Sequence, residues 1–295
     1  MNVSDKKAYL FAIGAVFFWS TVATAFKLAL REFDFIQLIF FTSVISVIIL
    51  FFILTVQKKT HLLFKQTKRQ LLNSVFLGAL NPLAYYLILF KAYSLLPAQL
   101  AQPLNMVWPI TLALLSVPFL HQKIGWKSLV ALLISFAGVV FISSQGGISG
   151  FENTNLTGVI LAVGSSVIWA FYWIFNVRDN RDKVVKLFQN FVFGTLYLIV
   201  VVLLFSDFKL HLGTGLYSII YIGFFEVGIT YVLWLKAMEL SSNNAKIGNL
   251  VFLAPFVSLI FIHFILKETI YITTFIGLVF IVAGIFIQQL DKRKP

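Results

Sequence analysis

Apolar and polar positions follow one another along this chain in long blocks, with ten apolar stretches separated by short polar connections. The stretches cover residues 8–30, 36–56, 71–93, 97–120, 125–143, 156–176, 184–206, 214–238, 243–266 and 270–290. Each is close to the roughly 20 residues that an α-helix needs to cross the hydrocarbon core of a bilayer. The connections at 94–96 and 267–269 allow only tight turns, so we expect helical hairpins there. The pattern predicts an all-α integral membrane protein with ten transmembrane helices.

The second half of the chain repeats the small, aromatic and proline positions of the first half. The matching pairs, 145 to 150 residues apart, are Gly14 and Gly164, Trp19 and Trp169, Gly78 and Gly223, Pro109 and Pro255, and Gly138 and Gly284. We therefore expect two five-helix repeats, at residues 1–147 and 148–295. Because five is odd, the second repeat enters the membrane from the opposite side. Inverted repeats of this kind enclose a central cavity in many solute carriers.

Composition places the chain in the membrane class. Apolar residues make up 60% of the chain and charged residues 12%, and the mean hydropathy is +0.93. So few charged side chains could not cover the apolar surface of a soluble protein of this length. Since the longest polar connections have about 14 and 12 residues (57–70 and 144–155), there is no room for a nucleotide-binding domain, and ATP-driven transport by this chain is not expected.

The distribution of positive charge predicts how the chain is oriented. The net charge of +12 would suggest nucleic-acid binding in a soluble domain. Eighteen of the 23 Lys and Arg residues, however, lie at the two termini and in alternate connections. Cytoplasmic connections collect such residues. We therefore expect an inner-membrane protein with both termini in the cytoplasm, whose basic residues contact anionic lipid headgroups rather than nucleic acid.

The residues that enzymes and metal sites need are poorly represented. Cysteine is absent, no His-Glu-x-x-His sequence occurs, and no two acidic residues share a face of one apolar stretch. Ser165 and Ser166 have no credible base within reach for nucleophilic catalysis. The sequence therefore predicts neither catalysis nor a cofactor. A channel or a structural scaffold stays open as an alternative to a carrier.

Glu226 is the outstanding polar residue, because it lies near the middle of the eighth stretch. A charged carboxylate facing lipid there would cost several kcal/mol, so the side chain should face protein or a watery cavity. Thr230 and Trp234 share its helical face. Glu226 is either a counter-charge for a substrate ammonium group, a proton carrier, or a neutral acid that hydrogen-bonds between helices.

Asn81 is the repeat counterpart of Glu226 and lies near the middle of the third stretch. Pro82 removes a backbone hydrogen bond, which predicts a kink and a freed carbonyl group. Tyr85 follows one turn later. These side chains either line a cavity, or Asn81 makes an ordinary hydrogen bond between helices, worth about 1 kcal/mol.

Further polar and aromatic residues recur in the first, fourth, sixth and ninth stretches. An apolar pocket with a few convergent amides and rings suits a small zwitterion or an aromatic amine; packing and interfacial anchoring are the alternatives. The full set of candidate substrate-binding residues is Trp19, Asn81, Tyr85, Asn105, Trp108, Trp169, Tyr172, Glu226, Thr230 and Asn249. Gln189 and Asn190 are polar within the seventh stretch, but the sequence assigns them no partner.

These motifs together resemble the EamA family of the drug/metabolite transporter superfamily. They are Trp19-Ser20-Thr21, Asn105 to Pro109, Gln122-Lys123 with Trp126, Trp169-Ala170 with Tyr172, Glu268, and the Ala-Gly pairs of the fifth and tenth stretches. Among members, the bacterial aromatic amino acid exporters look most similar. The resemblance implies a bundle with helices one to four and six to nine around a cavity and the fifth and tenth outside it. One departure is Gln122, where many members have Glu.

The residues and the resemblance lead to one functional hypothesis. The chain is expected to export a small amphipathic metabolite by alternating access, with aromatic amino acids as the leading substrates. A quaternary amine, another metabolite or a drug is the alternative. The driving force is either a proton gradient, for which Glu226 is the candidate, or the gradient of the substrate itself. The expected partners are this small-molecule substrate and membrane lipids, and the expected assembly is a monomer or a homodimer.

Overall fold

A computed structural model describes residues 3–120, 126–147, 150–209, 212–241, 247 and 250–289, and the regular structure in these residues is entirely helical. Ten apolar helices follow one another in the described ranges. They are α1 (Val3–Ala29), α2 (Phe35–Val56), α3 (Lys68–Leu95), α4 (Ala98–Asn105 and Trp108–Leu120), α5 (Trp126–Ser143), α6 (Leu156–Val177), α7 (Lys183–Phe205), α8 (Thr214–Leu240), α9 (Leu250–Leu266) and α10 (Ile272–Gln289). The predicted all-α membrane fold is confirmed.

The ten helices correspond to the ten predicted stretches, but in the described residues only seven of them have the full length of a membrane span. Seven of the described helices are long and apolar enough to cross a membrane, and three shorter apolar helices lie at Val130–Ser143, Leu250–Leu266 and Ile272–Ile287. The tight connection predicted at 94–96 lies slightly later, because α3 continues to Leu95 and the turn before α4 comprises residues 96 and 97, and Lys267 adopts a left-handed backbone conformation after α9. Hydrocarbon thickness accounts for the lengths of the seven long helices, which is why local hydropathy predicts them.

The second helix of each repeat begins with the same kind of cap. Oδ1 of Asp34 accepts hydrogen bonds from the N–H groups of Ile36 and Gln37 at the start of α2. Oδ1 of Asp182 accepts from Val184 and Val185 at the start of α7. An N-cap side chain satisfies backbone donors that have no partner within the helix. These equivalent caps fix where α2 and α7 begin.

The chain folds into two compact units, and each is built from two separate stretches of sequence. Unit 1 comprises Met1–Lys65 and Leu198–Glu268, and unit 2 comprises Gln66–Tyr197 and Thr269–Pro295. Unit 1 therefore contains α1, α2, α8 and α9, whereas unit 2 contains α3, α4, α5, α6 and α10, and α7 contributes to both. Each unit draws on both predicted repeats. The repeat boundary at residues 147 and 148 stays a prediction.

Within each unit, the first helix of one repeat packs against the third and fourth helices of the other repeat. In unit 1, α1 packs against α8 and α9, and α2 packs against α8. In unit 2, α6 packs against α3 and α4. Because α6, α3 and α4 are the repeat counterparts of α1, α8 and α9, the two units have equivalent helix pairings. Sequence periodicity alone did not predict this exchange.

Equivalent glycines bring the third and second helices together in both units. A Cβ atom added at Gly78 of α3 would lie 2.5 Å from the backbone oxygen of Asn190 in α7. One added at Gly223 of α8 would lie 2.6 Å from Cβ of Ile45 and 3.3 Å from the backbone oxygen of Thr42 in α2. Small residues allow helices to approach closely in membranes. The repeated glycines therefore mark the same helix crossing twice.

In unit 2, α5 and α10 form a closely packed pair whose contacts are themselves symmetric. A Cβ atom at Gly138 would lie 2.5 Å from the backbone oxygen of Gly277, and one at Gly284 would lie 2.7 Å from that of Ala131. Gly284 and Gly277 follow Gly138 and Ala131 by the same 146 residues. The two helices therefore contact each other through corresponding surfaces of the two repeats.

Many large apolar side chains face outward from the helices. Examples are Leu10, Phe52, Leu133, Leu204 and Phe264, each more than 60% exposed. In water, so many exposed apolar side chains would favour aggregation, but a lipid environment accommodates them. The surface therefore agrees with a chain embedded in a membrane.

Candidate functional site

The α-helical hydrogen-bond pattern of α8 is interrupted at the level of Glu226. Residues Gly223–Gly228 form a π-helical segment, which lies between the α-helical parts Thr214–Ile222 and Ile229–Leu240. Such segments change the hydrogen-bonding of nearby carbonyl groups and occur frequently at functional sites. The segment contains no proline, and hydropathy did not predict it.

Three side chains donate hydrogen bonds to carbonyl oxygens of this π-helical segment. Nε1 of Trp19 donates to the backbone oxygen of Glu226 at 3.4 Å, and Oγ of Ser46 donates to that of Gly223 at 3.3 Å. The hydroxyl group of the fully buried Thr230 donates to the backbone oxygen of Phe225. The altered backbone is therefore held by α1, by α2 and by its own helix, with Glu226 half-buried at its centre.

Aromatic rings surround the same stretch of α1 and α8. The rings of Phe18 and Phe225 stack with centroids 4.3 Å apart, and the ring of Trp19 lies 5.3 Å from that of Trp234. Oγ1 of Thr21 and the hydroxyl oxygen of Tyr221 are 2.5 Å apart. We call the set comprising Trp19, Thr21, Phe18, Tyr221, Phe225, Glu226, Thr230 and Trp234 the carboxylate cluster. It offers one acidic group among hydroxyl groups and aromatic faces.

Unit 2 contains an uncharged counterpart on α3, α4 and α6. The hydroxyl group of Tyr85 donates to Oδ1 of Asn105 at 3.3 Å, and Nδ2 of Asn105 donates to Oγ of Ser165 at 2.7 Å. The rings of Tyr85 and Trp169 lie 4.6 Å apart, and the rings of Trp169 and Tyr172 lie 5.6 Å apart. We call these five residues the amide cluster. It can bind polar groups through hydrogen bonds and rings through stacking.

Asn81 lies in a second π-helical segment, Ala79–Ala84, which occupies in α3 the place of Gly223–Gly228 in α8. The peptide bond before Pro82 is cis, and the backbone of Asn81 is non-helical, with φ −146° and ψ 118°. The predicted kink at Pro82 is therefore found. Asn81 is buried. Its side-chain amide interacts with the hydroxyl group of Tyr172, as do the side-chain amides of Asn176 and Asn190.

The described structure brings most of the predicted site residues into these groups. Trp19 meets Glu226, with Thr230 one turn away, and Tyr85, Asn105 and Trp169 contact one another, with Tyr172 joining Trp169 to the surroundings of Asn81. Trp108 begins the second part of α4 and is half-buried. Asn249 lies outside the described residues. That these residues bind a substrate stays a prediction.

Sequence reasoning did not identify Ser165 and Tyr221 as cluster members and assigned no partner to Asn190. Ser165 is the partner of Asn105, Tyr221 that of Thr21, and Asn190 approaches Tyr172. Gln189 instead accepts a hydrogen bond from Arg181. The repeated Trp at positions 19 and 169 was the available signal, because each of these rings lies beside the third helix of the other repeat. This signal could be interpreted only once the pairing of helices that are far apart in sequence was known.

Outside the apolar helices, unit 2 holds a buried charge network. Nε of Arg181 donates to both carboxylate oxygens of Asp179 at 2.9 Å, and its terminal nitrogen donates to Oγ of Ser74 at 2.8 Å. Nδ2 of Asn73 also donates to Asp179. Burial by itself would raise the pKa of Asp179, but the hydrogen bonds from Arg181 and Asn73 outweigh it and hold the pKa below its ordinary value of 3.8. The network joins the start of α3 to the connection between α6 and α7.

The acidic residue that carries the family resemblance has a basic neighbour. Glu268 interacts electrostatically with Lys27 of α1, and its backbone oxygen lies 3.0 Å from Nδ1 of His263. Its first-repeat counterpart, Gln122, lies outside the described residues. Glu268 is therefore tied to the end of α1 within unit 1.

In the described ranges, no group of three or more His, Cys, Asp or Glu side chains is arranged to hold a metal ion.

Helices of membrane length, with polar and aromatic clusters on their inner parts, define a multi-pass membrane protein. The model of the EamA-like transporter family matches the chain twice, over residues 6–144 and 156–288. The chain belongs to this family, and its two matches agree with the internal repeat.

Similar proteins share the general class. An uncharacterized transporter of Clostridium kluyveri is 26% identical over 200 residues, which cover 62% of each chain, so the match spans less than two thirds of that relative. An uncharacterized transporter of Archaeoglobus fulgidus is 27% identical over 96% of this chain and 98% of its own length. A crystal structure with 20% sequence identity superimposes with a TM-score of 0.67 over 97% of both chains, which supports the fold alone.

Proposed function

We propose that this membrane transporter is a secondary carrier that exports a small amphipathic metabolite carrying an amino group, with aromatic amino acids as the leading substrates. In alternating access, the two repeats would exchange conformations to open on one side of the membrane and then on the other. The protein would act in the inner membrane as a monomer or homodimer, and its substrate and the surrounding lipids would be its partners.

One observation carries this proposal, namely that Glu226 lies at a π-helical segment near the middle of the membrane-length helix α8, among hydroxyl groups and aromatic rings. A carboxylate is costly at this depth and is retained where it pairs with a charge or faces water. It would attract the ammonium group of a substrate, while rings such as Phe225 and Trp19 would stack on an aromatic side chain. The amide cluster would bind polar groups through Asn105 and Tyr85.

Counterflow in proteoliposomes tests the role of Glu226 directly. Vesicles preloaded with unlabelled phenylalanine, tyrosine or tryptophan should accumulate the labelled amino acid, and saturation would distinguish a carrier from a channel. Glu226→Gln should lower this flux at least tenfold, because a hydrogen bond to a charged group contributes about 1.5–3 kcal/mol. Glu239→Gln is the matched control, since Glu239 lies exposed on the same helix. Equal flux in Glu226→Gln and the wild type would remove Glu226 from the mechanism.

An organic amine without a carboxylate is the second candidate substrate. It is favoured by the combination of an acidic group with several aromatic faces, because ring faces attract cations. Competition separates the two candidates: phenylalanine and phenylethylamine share a ring and an amino group but differ in the carboxylate. Inhibition of counterflow by phenylalanine alone would support an amino acid carrier. Stronger inhibition by phenylethylamine would support an amine carrier.

The inverted orientation of the repeats is a separate part of the proposal. The chain has no cysteine, so single cysteines can be introduced without altering a background residue. Lys58 and Lys209 lie in equivalent connections, after the second helix of each repeat. In intact cells, an impermeant maleimide should label Lys209→Cys and not Lys58→Cys. Labelling of both from the same side would contradict the inverted repeat. Cysteines at Lys6 and Lys292 should both be protected if the termini are cytoplasmic.

A further inference from the structure

A group of buried, uncharged polar side chains in unit 2 joins two of the candidate substrate-binding residues to two amides that the proposed substrate site does not use. It consists of Asn81 in the π-helical segment of α3, Tyr172 and Asn176 on α6, and Asn190 on α7. Their exposed fractions are 2%, 2%, 8% and 0%, respectively. Three carboxamides around one phenol are unusual in a membrane interior, because each brings both donors and acceptors that need partners.

The hydrogen bonds within this group are incomplete. Nδ2 of Asn190 lies 3.5 Å from the hydroxyl oxygen of Tyr172, at the outer limit of a hydrogen bond. The amides of Asn81 and Asn176 approach the same hydroxyl group. Within the part of the chain that the structure describes, Oδ1 of Asn81 and Oδ1 of Asn190 have no hydrogen-bond partner. Two buried acceptor oxygens of this group therefore lack a hydrogen-bond donor.

The local backbone brings these oxygens to one helix crossing. Gly78 and Gly194 let α3 and α7 approach so closely that a Cβ atom at Gly194 would lie 2.6 Å from Cγ of Pro82. Pro82 has no N–H group, so a carbonyl one turn earlier loses its helical donor. Unwound segments of this kind supply carbonyl oxygens to sodium ions in other carriers.

We propose that Asn81, Tyr172 and Asn190 bind a sodium ion at this crossing. Oxygen ligands about 2.4 Å from a cation are about 3.4 Å apart along the edges of an octahedron, and Nδ2 of Asn190, the amide atom that faces Tyr172, lies 3.5 Å from its hydroxyl oxygen. A half-turn of each amide exchanges its nitrogen and oxygen, so both Oδ1 atoms can face Tyr172.

The neutral ligand set favours a monovalent ion. Divalent cations usually recruit carboxylates, and none of the proposed ligands is one. Asp179 acts electrostatically on the Tyr172 hydroxyl group, but its charge is paired with that of Arg181. Lys186 is also near, and its Nζ donates to the backbone oxygens of Asn176 and Asp179. A bound ion would therefore be held by the oxygen atoms of its ligands alone.

The repeat counterparts in unit 1 do not reproduce the ligand set. Val22 stands for Tyr172, Phe26 for Asn176, Thr42 for Asn190, and Glu226 for Asn81. The sodium site therefore belongs to unit 2 alone. Binding of sodium does not depend on the proposed substrate, but its use as the coupling ion rests on the proposed transport function.

Thermal unfolding of the purified full-length protein tests the site. Sodium chloride, potassium chloride and choline chloride are compared at equal ionic strength, with no substrate added. Sodium alone should raise Tm by about 3 °C at concentrations tenfold above its Kd. Asn190→Ala should abolish this sodium-dependent shift, and Tyr172→Phe, which keeps the ring, should weaken it several-fold. Asn105→Ala should retain the shift, because Asn105 is a partnered amide in the same unit.

Two results would overturn the proposal. One is the same Tm in all three salts, as expected if only buried water fills the site, or an equal shift in potassium. The other is a full sodium shift in both Asn190→Ala and Tyr172→Phe. Counterflow measured in the same salts keeps the two hypotheses apart: flux without a sodium shift would refute only the ion site, and a sodium shift without flux would refute only the proposed carrier.

Discussion

Units 1 and 2 share a backbone arrangement but differ in the chemistry that it carries. In each, a tryptophan on the first helix of one repeat lies beside a helix of the other repeat that contains a π-helical segment. Unit 1 has Glu226 at this segment, and unit 2 has Asn81. Both centres are therefore aromatic, but unit 1 carries an acidic group whereas unit 2 carries amides.

The two units retain the same backbone features although the side chains at their centres differ. Gly78 and Gly223 still produce the same crossing, and Asp34 and Asp182 still cap the same helices. A carrier needs equivalent backbones if its repeats are to exchange conformations. It needs a carboxylate only where a substrate charge or a proton is bound, and one copy is enough for that.

The largest effect should come from making the two centres alike. Glu226→Asn gives unit 1 the residue of unit 2, and we expect a loss of counterflow of about tenfold to a hundredfold, because a charge-assisted hydrogen bond disappears. Asn81→Ala should reduce flux less, since no charge is removed. Flux and the amount of folded protein are measured in the same vesicles. A greater loss in Asn81→Ala than in Glu226→Asn would reverse the proposed roles.

The next largest effect concerns how much two acidic residues contribute to the stability of the folded protein. Asp179→Asn leaves Arg181 buried without its counter-charge and should cost about 3–5 kcal/mol, whereas Asp207→Asn should change Tm little, because Asp207 and its partner Lys209 are exposed. Thermal unfolding of both variants in one detergent measures the difference.

The pH dependence of the same variants provides a second measurement. Because folding lowers the pKa of Asp179, its stabilising contribution is complete above its ordinary pKa of 3.8 and disappears as the pH falls through the lower, folded-state value. The wild type should therefore lose its advantage over Asp179→Asn in acid. A constant difference in Tm down to pH 3 and below would indicate that the charge of Asp179 is not the cause.

A smaller effect compares the two glycine crossings. Gly78→Ala meets backbone atoms of Asn190 and Gly194, which cannot move independently, and should cost about 1–3 kcal/mol. Gly223→Ala meets mainly the side chain of Ile45, and the better helix propensity of alanine offsets part of that cost. Gly164→Ala is the control, because an added Cβ there meets nothing within 4 Å. Equal unfolding temperatures for Gly78→Ala and Gly164→Ala would contradict the described packing.

The smallest effect should be the same in both units. Asp34→Ala and Asp182→Ala each remove an N-cap and should each cost about 1 kcal/mol, measured as a fall in Tm. Asparagine at either position should restore most of the loss, because its side-chain oxygen can still accept the backbone hydrogen bonds. Failure of asparagine to restore stability at either position would show that the cap is not the reason.

Sequence patterns predicted the helices well and the site only in part. Hydropathy predicted the ten helices, and the repeated Trp19 and Trp169 indicated residues that lie beside the π-helical segments. Pro82 predicted the break in α3. The matching break in α8 has no proline, so no local signal announced it. Ser165 and Asn190 have hydrogen-bond partners only because the tertiary structure places α6 beside α4 and α7.

The sequence by itself determined the class of this protein, the order and approximate positions of its helices, and its duplication, because these depend on local hydropathy and on residue identity at fixed spacing. Only the tertiary structure decided that the first helix of each repeat pairs with the third and fourth helices of the other. That choice depends on how helices far apart in sequence fit together, through glycines that permit close approach and carbonyl groups that accept side-chain hydrogen bonds.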